Sequence, residues 1–278
     1  LINPFMSCGA RLPIYLLLVG AFFPNHASLV LLGLYALGVV VAVITAKLLR
    51  RFHFKKDETP FVMELPPYRV PTMKATMRHM WAKGQQYLKK MGGVILVASL
   101  VIWLLSYFPR PDAKQIEESR IEYASTHVSG NLDGAAIEKI AATENSYLGR
   151  IGKFIQPVFE PLGFNWKMTI SLLSGTVAKE TVVSTIGVLY SGDDAADEAA
   201  LSGRIKEVNP RTGQPDFTPL VAFCFLVFVL LYVPCIATVT AIVKETGSWK
   251  YGVFTLCYNT MVAWLFAFVI YQIGTLFV

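Results

Sequence analysis

The sequence has little charge, few cysteines and few histidines. Only 16% of its 278 residues are Asp, Glu, Lys or Arg, while 54% are apolar. An average soluble domain carries about 25% charge and about 45–50% apolar residues. The imbalance excludes an ordinary water-soluble globule. The four cysteines form no CxxC pair, so neither a zinc motif nor a disulfide framework is present. His26, His53, His79 and His127 show no HxxxH spacing, which leaves no histidine-based metal motif. No GxxxxGK(S/T) phosphate loop and no NKxD-type base-recognition motif occurs. There is no cleavable signal with a charged first region, and the chain starts at Leu1 rather than Met. Leu1 is therefore read as a position inside a longer protein.

What is there is apolar length. Crossing a bilayer core of about 30 Å takes roughly 20 mostly apolar residues in a helix. Leu29–Leu49, Met91–Phe108, Phe217–Val243 and Tyr251–Val278 qualify. Thr218 is placed to cap the third of these, with Pro219 at its first turn. Trp166–Tyr190 is a weaker span because Lys179 and Glu180 lie inside it. Residues 2–23 form a span only as a broken helix, with Pro4 and Pro13 as the breakers. These runs predict an all-α fold: a polytopic transmembrane helical bundle of about six spans.

The net charge of +6 sits beside the apolar runs, the pattern of cytoplasmic membrane flanks rather than of a nucleic-acid surface. Residues 51–90, with Arg51, Lys55, Lys56, Arg69, Lys74, Arg78, Lys83, Lys89 and Lys90, are expected to be a cytoplasmic loop. By alternation, 1–50 holds two spans, 91–108 one helix, 109–165 an external loop and 166–190 one helix. Residues 191–216 are then a cytoplasmic loop, and 217–278 hold the last two spans. The 191–216 loop is acidic (Asp193, Asp194, Asp197, Glu198), which lends its assignment no support. Met73, Met77, Met80 and Trp81 recur at helical spacing among Lys74, Arg78 and Lys83. They predict either an amphipathic interfacial helix on the cytoplasmic leaflet or a soluble helix capping the bundle.

Three places break the apolar pattern. Broken helices and charges inside a membrane are tolerated where protein or a water-filled path surrounds them. The first is Asn3–Pro13, where Pro4 and Pro13 each withhold an N–H. Met6 and Cys8 offer soft sulfur there, and Ser7 a hydroxyl. The second is Tyr232–Thr238, where Pro234 interrupts the span. Cys235 follows the break, and Thr238 lies one turn on, on the same face. A thiol beside freed carbonyls suits a borderline divalent metal. Either cysteine can equally be read as a small buried residue at a kink. The third is Ser174–Glu180. On one continuous helix Thr169, Thr176, Glu180, Ser184 and Gly187 share a face, with Lys179 beside it. This set is read either as pore lining or as a buried, neutralised packing pair. Lys244 and Glu245 read as a solvated pair at a span end. Cys224 and Cys257 read as core or lipid-facing.

At these motifs the chain resembles the ferrous iron transport protein B family (FeoB). The sequence PFMSCGARLPIY at Pro4–Tyr15 resembles the family's first gate motif. YVPCIATVTAIVKETGSWKYGVF at Tyr232–Phe254 resembles the second, and Leu148–Tyr190 resembles the stretch between them. The resemblance implies Fe2+ uptake across the bacterial inner membrane by the C-terminal part of a GTPase-linked permease. Cys8 and Cys235 would be pore-lining ligands, Fe2+ the transported substrate, and GTP with Mg2+ would belong to an N-terminal domain. It also implies small accessory iron-transport proteins and a homo-oligomer as partners. Two alternatives remain: a gate-type carrier of another divalent metal or a nucleoside-like substrate, and a membrane thiol oxidoreductase using Cys8 and Cys235.

Overall fold

The computed structural model describes residues 2–52, 71–110, 114, 116–117, 121, 134–192, 198–207 and 214–277. Eleven α-helices of eight residues or more lie among them. Helix α1 is Leu12–Phe22, α2 Ala27–Phe52, α3 Met73–Tyr107, α4 Gly134–Asn145 and α5 Tyr147–Phe159. Helix α6 is Trp166–Ser174, α7 Thr181–Ser191 and α8 Glu198–Ile205; α9 is Pro219–Leu231, α10 Ile236–Thr246 and α11 Trp249–Phe277. Three helical stretches are long and apolar enough to cross a membrane: Pro24–Arg51, Pro219–Thr246 and Trp249–Leu276. Shorter apolar helices cover Gly9–Phe22, Gly92–Tyr107 and Thr181–Ser191. The all-α membrane fold with broken helices is thus borne out.

Local chemistry sets the helix ends. Thr218 caps α9 by accepting the Val221 N–H, with Pro219 following it. Ser146 caps α5 through Gly149, and Asn165 caps α6 through Met168. Each such cap satisfies one donor that the first helical turn leaves unpaired.

Helix α9 is the centre of the bundle. Every residue from Cys224 to Leu231 is buried, which fits a helix that is apolar all round. Phe164 stands edge-on to Phe225 and Phe228, at centroid distances of 5.5 and 5.7 Å. Helices α1, α2 and α11 pack around α9. The side chain of Leu220 lies against Gly274, and Val243 of α10 lies against Gly252, so α11 runs antiparallel to α9 and α10.

One expected span is a hairpin. Residues 166–190 form α6 and α7, separated by non-helical residues 175–180. The Ser174 and Thr185 hydroxyls are 2.7 Å apart, and Asn165 Nδ2 donates to the Tyr190 hydroxyl at 3.3 Å. The two helices therefore run antiparallel, and residues 165 and 190 lie at the same end of the bundle. Thr169, Thr176 and Glu180 consequently do not share one helical face. Glu180, which immediately precedes α7, and Ser184, in its first turn, are both exposed.

The same end collects several other segments. Tyr190 donates to Asp216, and Gly192 abuts Ala136. The Tyr147 N–H reaches the Phe108 carbonyl, and Lys206 lies over the Phe22 ring. This end therefore gathers the 109–165 and 191–216 connections together. The opposite end carries the exposed Lys47, Arg50, Arg51, Lys74, Lys244 and Lys250. The alternation that separated the two loops fails because the hairpin turns back instead of crossing. The residues Asp193, Asp194 and Asp197, and most of 51–70 and 111–133, lie outside the described residues.

The amphipathic segment after Pro71 is not a separate helix either. It continues unbroken into the apolar stretch as α3, 35 residues long. At about 1.5 Å per residue α3 is about 52 Å long, well beyond a core of about 30 Å. Met73, Met77, Met80 and Trp81 are all exposed on it. The most amphipathic of the described helices is α5, which turns Tyr147, Ile151, Phe154 and Val158 outward.

Candidate functional site

The three breaks meet at one depth. The first comprises two short 3-10 turns, Asn3–Phe5 and Gly9–Arg11, with Met6, Ser7 and Cys8 between them. It lies beside the middle of α2, because a Cβ on Gly38 would come within 2.8 Å of the Phe5 carbonyl oxygen. The second is Tyr232–Cys235, between α9 and α10. The third is the hairpin tip at 175–180. Helices of 9 to 13 residues flank the second and third breaks, about half the length a span requires.

A helix break strands the last carbonyls of one half and the first N–H groups of the next. The hairpin tip supplies partners for both. The Thr176 carbonyl accepts the Ile236 N–H at 3.0 Å, at the start of α10. The Lys179 ammonium donates to the Val233 carbonyl, just past the end of α9. A cation at a helix C-terminus also suits the helix dipole. The same ammonium sits 3.2 Å from the centroid of the Tyr232 ring, whose negative face attracts it. Lys179 is 4% exposed. Gly175 gives the tip its close fit, since a Cβ there would strike Val182 and the Tyr232 hydroxyl.

Arg11 performs a parallel task in the first break. It is 2% exposed, and its guanidinium donates to the Pro4 carbonyl at 2.9 Å and the Met6 carbonyl at 3.3 Å. Gly38 of α2 faces both the Phe5 carbonyl of the first break and Leu230 at the end of α9, so the first and second breaks are neighbours. Cys8 and Met6 are exposed, and Cys235 is half-buried with its Sγ 3.3 Å from the Thr238 hydroxyl. Ser7 Oγ points to the Tyr15 hydroxyl at 3.5 Å. Pro234 is buried in the second break, and Pro13 lies in the first turn of α1 rather than in a kink. The Thr176 hydroxyl bonds back to Leu173.

The structure thus brings Cys8, Cys235, Thr238, Thr176 and Lys179 to one region. Ser184 lies away from it, in a cleft of about 670 Å³ between α3, α4 and α7. Ser174, Thr185, Arg110 and Glu138 also line this cleft. Its inner end reaches Ser174, one residue before the hairpin tip. Three carbonyls available in principle to a metal, those of Pro4, Met6 and Val233, are engaged by Arg11 and Lys179 instead. Among the described residues no group of three His, Cys, Asp or Glu side chains could hold a metal ion. The roles of Arg11 and Tyr232 were not recognised in the sequence. The available signal was an arginine placed between two prolines in an apolar context.

Broken helices whose unwound segments meet within an apolar bundle are a build found in membrane transporters, and the structure places this protein in the class of polytopic helical membrane proteins of that build. Two family models match it: "Nucleoside recognition" (gate) over residues 88–249 and "Ferrous iron transport protein B C terminus" over residues 31–83. An Fe(2+) transport protein A/Fe(2+) transporter FeoB fusion protein of Porphyromonas gingivalis is 51% identical over all of this chain and 34% of its own length. The Fe(2+) transporter FeoB of Staphylococcus aureus (strain COL) is 38% identical over all of this chain and 36% of its own length. That of Helicobacter pylori is 38% identical over 95% of this chain and 42% of its own length. No solved structure matches significantly. The chain belongs to the ferrous iron transport protein B family, as its gate and C-terminal membrane region, and is a polytopic inner-membrane protein. It spans about a third of the length of the relatives it matches.

Proposed function

We propose that this chain is the ion-conducting part of an Fe2+ importer. The observation that carries the reading is the convergence of two Cys-bearing breaks with the hairpin tip. Sulfur and hydroxyl groups of Met6, Ser7, Cys8, Cys235 and Thr238 would replace part of the ion's hydration shell. Binding must stay weak enough for the ion to leave, which suits a sparse set of sulfur and hydroxyl donors. The relatives extend well beyond this chain, and within this proposal their remaining length includes the GTPase domain that the family resemblance implies, which drives or gates this region. Accessory iron-transport proteins and a homo-oligomer belong to the same proposal.

In the full-length protein, Cys8→Ser and Cys235→Ser should each lower Fe2+ uptake roughly tenfold or more at unchanged membrane levels. Wild-type uptake in both variants would refute the ligand role. A second reading is an organic carrier of the nucleoside type. The match to the nucleoside-recognition gate model favours it, as does a cleft of about 670 Å³, within the usual range for small molecules. Uptake of Fe2+ challenged with other divalent metals and with nucleosides separates the two.

We also propose a sidedness. The end rich in Lys and Arg faces the cytoplasm, and the end gathering 109–165 and 191–216 faces outward. A single cysteine introduced at Glu138 and another at Ser202, in an otherwise cysteine-free protein, should both react with an impermeant thiol reagent applied from outside. Reaction of the two from opposite sides would refute the arrangement.

A further inference from the structure

Helix α11 carries one polar side chain that its packing does not explain. Asn259 is 0% exposed, and neither its amide oxygen nor its amide nitrogen has a hydrogen-bond partner. It belongs to the buried stripe Thr255, Asn259, Ala263 and Ala267. Tyr232 Oη and Arg11 Nε, at the two breaks, are also buried without a partner, but Asn259 is the one of these residues with both polar atoms of its side chain unpaired. Thr255 bonds the Tyr251 carbonyl, and Thr45 bonds the Tyr258 hydroxyl. An unpaired buried amide is destabilising, and a leucine of similar size would avoid that cost.

Its depth follows from the two helix pairs. Leu220 lies against Gly274 at one end of the α9–α11 pair, and Val243 against Gly252 at the other end of α10–α11. Antiparallel helices advance equally, at about 1.5 Å per residue. Counting inward from the Val243–Gly252 pair places Asn259 level with Ile236, the first residue of α10 and next to Cys235. Helix α11 packs on α9 and α10, and Gly252, seven residues before Asn259 and so on the same face, lies against Val239 and Val243 of α10; Asn259 therefore belongs to the face turned to α10. The neighbouring Tyr258 meets Phe5 edge-on at 6.2 Å, which sets the first break at the same depth.

We propose that Asn259 supplies an amide oxygen to a divalent cation at the level of Cys235, so that Cys235, Thr238 and Asn259 form one site. The proposal rests on the conduction reading above. An amide oxygen is a neutral, harder donor than a thiol. A mixed set of this kind suits a borderline divalent ion.

The test uses the full-length protein, with Fe2+ as the probe and Mn2+ as the competitor. Asn259→Leu should lower Fe2+ uptake roughly tenfold at equal membrane levels. Asn259→Asp should retain uptake and show stronger inhibition by Mn2+ than wild type does, because a carboxylate favours the harder ion. Wild-type uptake by Asn259→Leu, beside a loss in Cys235→Ser, would overturn this proposal and leave the conduction reading standing. Wild-type uptake in both variants would overturn both. If Asn259→Leu fails to accumulate, the Asn259→Asp variant decides. Unchanged Mn2+ inhibition there would overturn the site.

Discussion

Replacing Lys179 with methionine should reduce Fe2+ uptake by the full-length protein roughly tenfold or more and lower the thermal stability of the purified protein. Methionine matches the stem but cannot donate. The Val233 carbonyl loses the ammonium that satisfies it, and an unpaired buried acceptor costs about 1–3 kcal/mol. The contact with the Tyr232 ring, 3.2 Å from the ammonium, is lost as well, at up to about 2 kcal/mol for a desolvated pair. Removing the buried charge returns its desolvation cost and offsets part of this, so a net loss of about 1–3 kcal/mol remains. Every 1.4 kcal/mol is a factor of ten in an equilibrium, which is the basis of the uptake figure. Lys179→Arg keeps a cation and should retain more activity than Lys179→Met. Equal stability and uptake in Lys179→Met and wild type would show that the tie between the hairpin and the α9–α10 break is dispensable.

The second large effect is expected at Gly38. The first break passes so close to α2 that a Cβ there would lie 2.8 Å from the Phe5 carbonyl oxygen and 3.4 Å from Leu230. The obstacle is backbone, so no rotamer change relieves it. Small residues permit this kind of approach between membrane segments. Gly38→Val should push α2 away from Phe5, which is fully buried and packed on Tyr258. Overpacking of this kind costs about 1–3 kcal/mol. The measurable results are a lower melting temperature in detergent, a changed rate of Cys8 alkylation and loss of Fe2+ uptake. Gly38→Ala should show the same changes at smaller amplitude. An unaltered Cys8 rate in Gly38→Val would mean that α2 does not position the first break.

The breaks were legible because their causes are local. Pro234 cannot donate to the ladder, and a proline with a cysteine after it stands out in an apolar run. Thr218 and Pro219 marked the start of α9 by the same local rule. The hairpin was not legible, because a re-entrant pair and a single span ask for the same apolar residues between Trp166 and Tyr190. What separates them is Ser174 meeting Thr185, a contact between positions eleven residues apart. The sequence signals against a crossing were Lys179 and Glu180 inside the run and the acidic composition of 191–216. The helix at Met73–Tyr107 was divided at Lys89 and Lys90, although lysine is a good helix former and does not end a helix by its charge. Asn259 went unnoticed because a single amide barely changes the hydropathy of a span. Its significance appears only with its burial and its depth beside Cys235.

Both legs of the α6–α7 hairpin leave the bundle through the same end. A force arriving at the basic end therefore finds no covalent handle on the hairpin. It reaches the tip through α10, whose first amide is bonded to Thr176, and through the Val233 carbonyl held by Lys179. The hairpin is a bolt seated from the far side. Its inner end is fastened where α9 gives way to α10, so whatever displaces the start of α10 acts on the tip directly.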